Sequence, residues 1–281
     1  MGEFRYDGYR ISYDEYGSGD RPLVLIHGLL MNRRMFERLG PEMASRGNRV
    51  ICVDLLGHGR SDRPADSQRY SMTLFARQVE ALLDHLEVEQ AVVGGTSLGA
   101  NVTLEAAVLS PSRVRAMFVE MPVLDNALAA VAGIFAPIYL GLRLARPLFW
   151  GASRIASRIP RTNYLLDIGL DWIRQEPGPS IAVLEGLLLG DTAPHSDHRR
   201  KITHPALIIG HPADPLHPFS DSDMLAGELP NAKLVEANSI LEWRLSPSRL
   251  NDELAFFLEQ VWSAEQERRS NGAVRLAGSG A

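Results

Sequence analysis

Ser97 stands in the pattern Gly95-Thr96-Ser97-Leu98-Gly99, directly after the apolar run Ala91-Val92-Val93. A strand, a tight turn and a helix start in that order lift a serine hydroxyl to the top of a sheet. The same turn aims the first backbone N–H groups of the next helix at that point. The glycines two before and two after Ser97 matter because neighbouring chain must pass close by, where a Cβ would clash. A serine presented in this way is suited to nucleophilic attack, and it needs a base to take its proton. The chain has eight histidines. Two of them, His211 and His217, flank Asp214 in His211-Pro212-Ala213-Asp214-Pro215-Leu216-His217, just after the apolar run Ala206 to Ile209.

The elements that would position these groups alternate along the chain. Phe4 to Tyr16 alternates apolar and polar around Asp7-Gly8, which predicts a hairpin. Pro22–Ile26, Arg49–Val53, Ala91–Val93, Val114–Val119, Ala206–Ile209 and Lys233–Val235 read as strands. Between them, Arg34–Arg46, Leu74–Leu86 (with Ser71 and Thr73 as candidate caps), Ser97–Leu109 and Asp221–Leu229 read as helices, and a last helix starts at Ser246-Pro247. Continuous apolar strands between helices predict an α/β fold with a mostly parallel sheet covered by helices on both faces. The expected division is a core of 1–121 and 202–263, a helical cap of 122–201 inserted after the sixth strand, and a disordered tail of 264–281.

Three further pieces each follow a strand. They are His27-Gly28-Leu29, Asp54-Leu55-Leu56-Gly57-His58-Gly59-Arg60-Ser61 and Gly210-His211-Pro212-Ala213-Asp214-Pro215. With the serine turn, in this order, they resemble the α/β-hydrolase family in its capped esterase, lactonase and epoxide-hydrolase-like branch, from about Phe4 to Gln260. The resemblance implies that Ser97 is the nucleophile and Asp214 the triad acid. It implies that the backbone N–H groups of Leu29 and Leu98 form the oxyanion hole, where losing one donor typically costs about 100- to 1000-fold in rate.

The chain departs from the family at the base. The family histidine follows the last strand, but that loop here reads Glu236-Ala237-Asn238-Ser239-Ile240-Leu241-Glu242-Trp243-Arg244, and no histidine occurs after His217. His217, three residues past the acid, matches a position that lines the pocket in similar proteins, and it is the preferred relocated base. His211 is the alternative base, and Glu120, at the end of Val114–Val119, an alternative acid. Both histidines could equally be turn residues placed by Pro212, Pro215 and Pro218. His27 and His58 read as turn hydrogen-bonders, as do Asp54, Arg60 and Ser61. His85 and His204 read as bystanders, and His195 and His198 as part of a solvated charged stretch.

Composition sets limits. With 281 residues, 45% of them hydrophobic, the chain can bury one large core with a lid. A net charge of −5 gives no basic field for nucleic acid. One cysteine, Cys52, lies in an apolar strand and reads as a buried inert thiol. The polar N-terminal stretch is not a signal peptide, so a cytoplasmic protein is expected. Val131 to Trp150 is apolar but interrupted by Pro137, Arg143, Arg146 and Pro147, and reads as lid helices and not a membrane span. The prolines around Asp214 break any metal-ligand spacing, and no Gly-Lys loop or dinucleotide fingerprint follows a strand, so no metal or cofactor is expected. The partner would be an apolar, uncharged small molecule.

Three functions fit these residues. The first is a serine hydrolase of a carboxylic ester, lactone or thioester. The second is a ligand-binding module that has lost hydrolysis with its histidine. The third is a lyase, cyclase or isomerase on the same fold. The substrate and the oligomeric state are not legible.

Overall fold

The computed structural model describes residues 1–278, with side chains other than those of 165 and 265–278. Its strands are β1 (Gly2–Tyr6), β2 (Tyr9–Tyr16), β3 (Pro22–Ile26), β4 (Arg49–Val53), β5 (Ala91–Thr96), β6 (Val114–Glu120), β7 (Ala206–Gly210) and β8 (Ala232–Glu236). They form one sheet in the order β1-β2-β4-β3-β5-β6-β7-β8. β1, β2 and β4 pair antiparallel, and every pair from β4–β3 to β7–β8 is parallel. The helices are α1 (Leu39–Ser45), α2 (Met72–His85), α3 (Leu98–Leu109), α4 (Leu128–Leu144), α5 (Arg146–Arg158), α6 (Tyr164–Ile173), α7 (Pro177–Leu188), α8 (Ser196–Arg199), α9 (Phe219–Glu228), α10 (Glu242–Leu245) and α11 (Ser248–Gly278).

The central strands are buried on both faces, and their period of two divides the core. Val24 and Ile26 of β3, Ile51 and Val53 of β4 and Val93 of β5 face a cluster built with α2 and α3. Leu23, Leu25, Val50, Cys52 and Val92 face a second cluster built with α1 and α11. Cys52 lies in that second core, where burial pushes its thiol up. A one-residue slip of any of these strands would exchange its two faces.

Several boundaries differ from the sequence pattern. Arg34–Arg46 is not one helix: a 3-10 turn at Arg33–Phe36, capped by the Asn32 side chain, precedes α1. Pro41 explains the break, because it has no N–H for a helix running through from residue 37 and fits only a first turn. α2 is capped by Ser71, whose side chain accepts from Leu74 N, and not by Thr73. The last helix begins at Ser248, after the single turn α10. The tail expected to be disordered from 264 continues as α11 to Gly278, in a stretch without proline. Residues 279–281 of that tail lie outside the described residues.

The helices α4 to α8 occupy the connection between β6 and β7. α4 runs through Pro137, and the break comes instead at Ala145, where α4 and α5 meet at a bend of 98°. Among the described residues no single helix is long and apolar enough to cross a membrane.

Candidate active site

The sharp turn from β5 into α3 holds Ser97 at φ 56°, ψ −111°, a strained conformation for a residue with a side chain. Two close approaches hold it there. A Cβ on Gly95 would lie 2.2 Å from the carbonyl oxygen of Ile26, and one on Gly99 would lie 2.0 Å from the same oxygen. The end of β3 therefore passes within backbone contact of the serine turn, and neither position admits a side chain. Ser97 N donates to Glu120 O at 2.9 Å, which ties the turn to β6. Asn101 N donates to Ser97 O at 3.1 Å and starts α3.

The loop after β7 supplies the partner. Asp214 Oδ1 accepts from Leu216 N at 2.8 Å and from His217 N at 3.0 Å, so the carboxylate folds its own turn. Its second oxygen, Oδ2, lies 3.0 Å from His217 Nδ1. His217 Nε2 lies 2.9 Å from Ser97 Oγ, across 120 positions of sequence. A carboxylate only accepts, so the Nδ1 contact places the ring proton on Nδ1 and leaves Nε2 to accept from the serine. Burial opposes the charge on Asp214, but the hydrogen bonds and charge of His217 and the Leu216 amide hold its carboxyl below its usual range. The structure thus brings together Ser97, His217 and Asp214.

His211 and Glu120, the alternative base and acid, face each other instead. His211 Nε2 lies 3.2 Å from Glu120 Oε1, an ion-pair contact without hydrogen-bond alignment. Glu120 Oε2 accepts from Thr96 Oγ1, and from Arg244 at 3.2 Å. His211 Nδ1 lies 3.0 Å from Ser239 O. This buried cluster pins the loop after β8, where the family histidine would stand, down to the end of β6. Burial disfavours the Glu120 charge, yet Arg244 and His211 hold its pKa down to about 2. Burial likewise opposes charge on His211, and the Glu120 carboxylate outweighs it, raising the imidazole above its ordinary value.

The remaining histidines sit away from the serine hydroxyl. His27 Nδ1 lies 2.8 Å from Gly28 O, and its Nε2 accepts from Leu55 N at 3.1 Å. The His58 ring lies tilted against that of His27, with centroids 4.7 Å apart, and burial pushes both imidazoles below their usual range. Asp54 is fully buried and accepts from Arg33 and from Arg60 N, while Ser61 Oγ donates to Asp54 O at 2.6 Å. His85, His195 and His198 are exposed, and His204 Nε2 lies 2.9 Å from Pro111 O.

Ser97 and His217 open on a cavity of about 60 Å³ lined by Leu29, Leu98, Val131, Phe135, Leu184 and Leu187 among others, with no carboxylate, lysine or arginine in its wall. Leu98 is the first residue of α3, so its N–H has no intrahelical acceptor. Gly28, beside Leu29, is packed on the serine turn, where a Cβ would stand 3.9 Å from Ser97 Cβ.

Two positioning residues gave no sequence signal. Asn101 Nδ2 donates to Val123 O at 2.7 Å and to Thr192 O at 2.6 Å, while its Oδ1 accepts from Val123 N. It therefore joins the segment before α4 and the segment after α7 to α3, one turn from Ser97. Asp221 is fully buried and accepts from Leu124 N, Asn126 N and Ala127 N, fixing the entry to α4. In sequence an aspartate at the start of α9 reads only as a favourable charge for its own helix.

The description "alpha/beta hydrolase fold" matches residues 21–144. The chain is 30% identical over 244 residues to a 2-hydroxymuconate semialdehyde hydrolase of Pseudomonas sp. strain CF600, covering 81% of this chain and 82% of that protein. Among solved structures it resembles Est816, an N-acyl homoserine lactone degrading enzyme, with TM-score 0.71 and 25% identity over 91% of this chain and 100% of that one. The enol-lactonase from Burkholderia xenovorans LB400 shares the fold at TM-score 0.73 and 18% identity, over 92% and 100% of the two chains. By its sheet order, its serine turn and this relatedness over most of its length, the chain belongs to the α/β-hydrolase family.

Proposed function

We propose that this protein is a serine hydrolase of an uncharged, apolar carboxylic ester, lactone or thioester, with His217 as a relocated base. The observation that carries the reading is the 2.9 Å contact between His217 Nε2 and Ser97 Oγ. Ser97 Oγ attacks the carbonyl carbon while its proton passes to His217 Nε2, and Asp214 stabilises the resulting imidazolium. The carbonyl oxygen becomes an oxyanion held by the N–H groups of Leu29 and Leu98. Collapse expels the alkoxide or thiolate, which takes the proton from His217 and leaves an acyl-Ser97. Water then gives a proton to His217 and attacks the acyl carbon, and the acid departs as Ser97 is reprotonated.

The uncharged wall around Ser97 supports an apolar substrate. The segment 122–201 serves as the cap, with Val131 and Phe135 of α4 and Leu184 and Leu187 of α7 over the reacting atoms. The small apolar space beside Ser97 suits a short acyl group. The relatives named for hydrolase and lactone-degrading activities support the reaction class.

The test is turnover of a short-chain p-nitrophenyl ester and of an aliphatic lactone in ¹⁸O water. One solvent oxygen in the acid product, with turnover abolished in Ser97→Ala, is the expected result. Turnover that survives Ser97→Ala, or a product free of solvent oxygen, would overturn the reading in favour of binding or lyase-type chemistry.

A further inference from the structure

The helices α4 and α5 carry an outer face that no other described residue covers. α4 turns Val131 and Phe135 toward Ser97, while its opposite side presents Ala136, Pro137, Leu140 and Leu144 to solvent. Leu144 is 77% exposed, Leu148 of α5 73% and Trp150 50%. Scattered exposed leucines are ordinary, but Leu140, Leu144, Leu148 and Trp150 gathered on two consecutive helices mark an interaction surface.

Charge identifies the partner. Residues 126–166 hold no aspartate or glutamate and five arginines, Arg143, Arg146, Arg154, Arg158 and Arg161, in a chain whose net charge is −5. Arg161 pairs with Asp171, whereas among the described residues Arg146, Arg154 and Arg158 have no carboxylate partner. The Arg154 guanidinium lies 4.1 Å from the Trp150 ring centroid, so a cation and an amphipathic ring share one outward site. An apolar face rimmed by unpaired arginines, on two helices too sharply bent to form one span, is suited to lying in an interface between acyl chains and headgroups. A second copy of this face is a poor partner, because two arginine-rich surfaces would repel.

We propose that α4 and α5 dock this protein on an anionic lipid bilayer, with Leu140, Leu144, Leu148 and Trp150 at the acyl boundary and the arginines among the headgroup phosphates. The bilayer then covers the outer side of the helix whose inner side roofs the Ser97 cavity. The docking stands apart from the proposed chemistry, since it is read by binding.

The experiment is co-sedimentation of the full chain with vesicles of phosphatidylcholine, alone or mixed equally with phosphatidylglycerol. The wild type is expected to partition onto the mixed vesicles and to leave them in high salt. Arg154→Glu/Arg158→Glu is expected to weaken partitioning by about 25-fold or more, roughly five-fold for each arginine lost. Leu144→Ser/Trp150→Ser should weaken it as well. All four side chains are exposed, so melting temperatures should match the wild type and report folding independently. Absence of binding to mixed vesicles, variants that bind like the wild type, or a dimer in solution that Leu144→Ser dissociates would each overturn the proposal.

Discussion

His217 touches Ser97 through Nε2 at 2.9 Å and belongs to the same four-residue turn as its own carboxylate partner, Asp214. Elsewhere in the family the histidine arrives from the loop after the last strand. Here the proposed base and acid leave β7 together, and the loop after β8 is held by the ion cluster of Glu120, His211 and Arg244. His217→Ala is expected to lower kcat for a short ester by about 10⁴-fold or more. His211→Ala should stay within a few-fold of wild type in kcat at a temperature where it is folded. Steady-state kinetics of the two variants separates the candidates, and the reverse ranking would sink the assignment of His217.

Asp214 has two tasks, and its substitution should show both. Its Oδ2 orients the imidazole and its Oδ1 folds the turn. Asp214→Asn offers an amide N–H to Nδ1 or favours the wrong tautomer, so kcat is expected to fall by about 10⁴-fold with little change in KM. The turn contacts, weakened by replacing a carboxylate acceptor with an amide oxygen, should also lower the melting temperature by a few degrees, about 1 kcal/mol of stability. Calorimetry beside kinetics checks both; a kcat within tenfold of wild type would mean that Asp214 only shapes the loop.

The Glu120–His211 pair makes stability depend on pH in a defined window. A lowered carboxyl pKa contributes stability above the ordinary value of 4.5, lost as pH falls toward about 2. A raised histidine pKa contributes fully below the ordinary value of 6.5, lost as pH rises through the folded value. Both contributions are therefore complete between 4.5 and 6.5. The stability gap between wild type and His211→Gln should be greatest near about pH 5.5 and smaller near about pH 9. Thermal melts across that range check it, and a gap that widens toward alkaline pH would contradict the sign. Glu120→Gln leaves the partly buried Arg244 facing a neutral partner and should lower the melting temperature, by less than the loss of a fully buried pair would.

Phe135 roofs a cavity of only about 60 Å³ beside Ser97. Phe135→Ala is expected to shift the preferred p-nitrophenyl ester from short acyl chains toward longer ones. Each additional methylene would gain about 1 kcal/mol in transition-state binding until the new space is filled. A chain-length series of kcat/KM measures this directly, and an unchanged profile would place the acyl group elsewhere.

The sequence carried much of this because the strongest constraints are local. Gly95 and Gly99 announce the close passage of β3, which the structure places at the Ile26 carbonyl. The apolar runs of β3 to β7 announce strands buried on both faces. What was not legible depends on distant groups. Asn101 and Asp221 secure the segments before α4 and after α7 through backbone partners that no spacing reveals. The pairing of His211 with Glu120 rather than Ser97 follows from which ring faces which strand end, a matter of packing and not of pattern. The single helix expected over Arg34–Arg46 is broken ahead of Pro41, which lacks the N–H that a continuous helix would need there.

The measurement to make first is intact mass and peptide mapping after fluorophosphonate treatment, on wild type, His217→Ala and His211→Ala near neutral pH. A stoichiometric adduct on Ser97 in wild type and His211→Ala, and none or a greatly slowed one in His217→Ala, is the expected result. Equal labelling of His217→Ala, or no labelling of a folded wild type, would contradict a base relocated to the loop after β7.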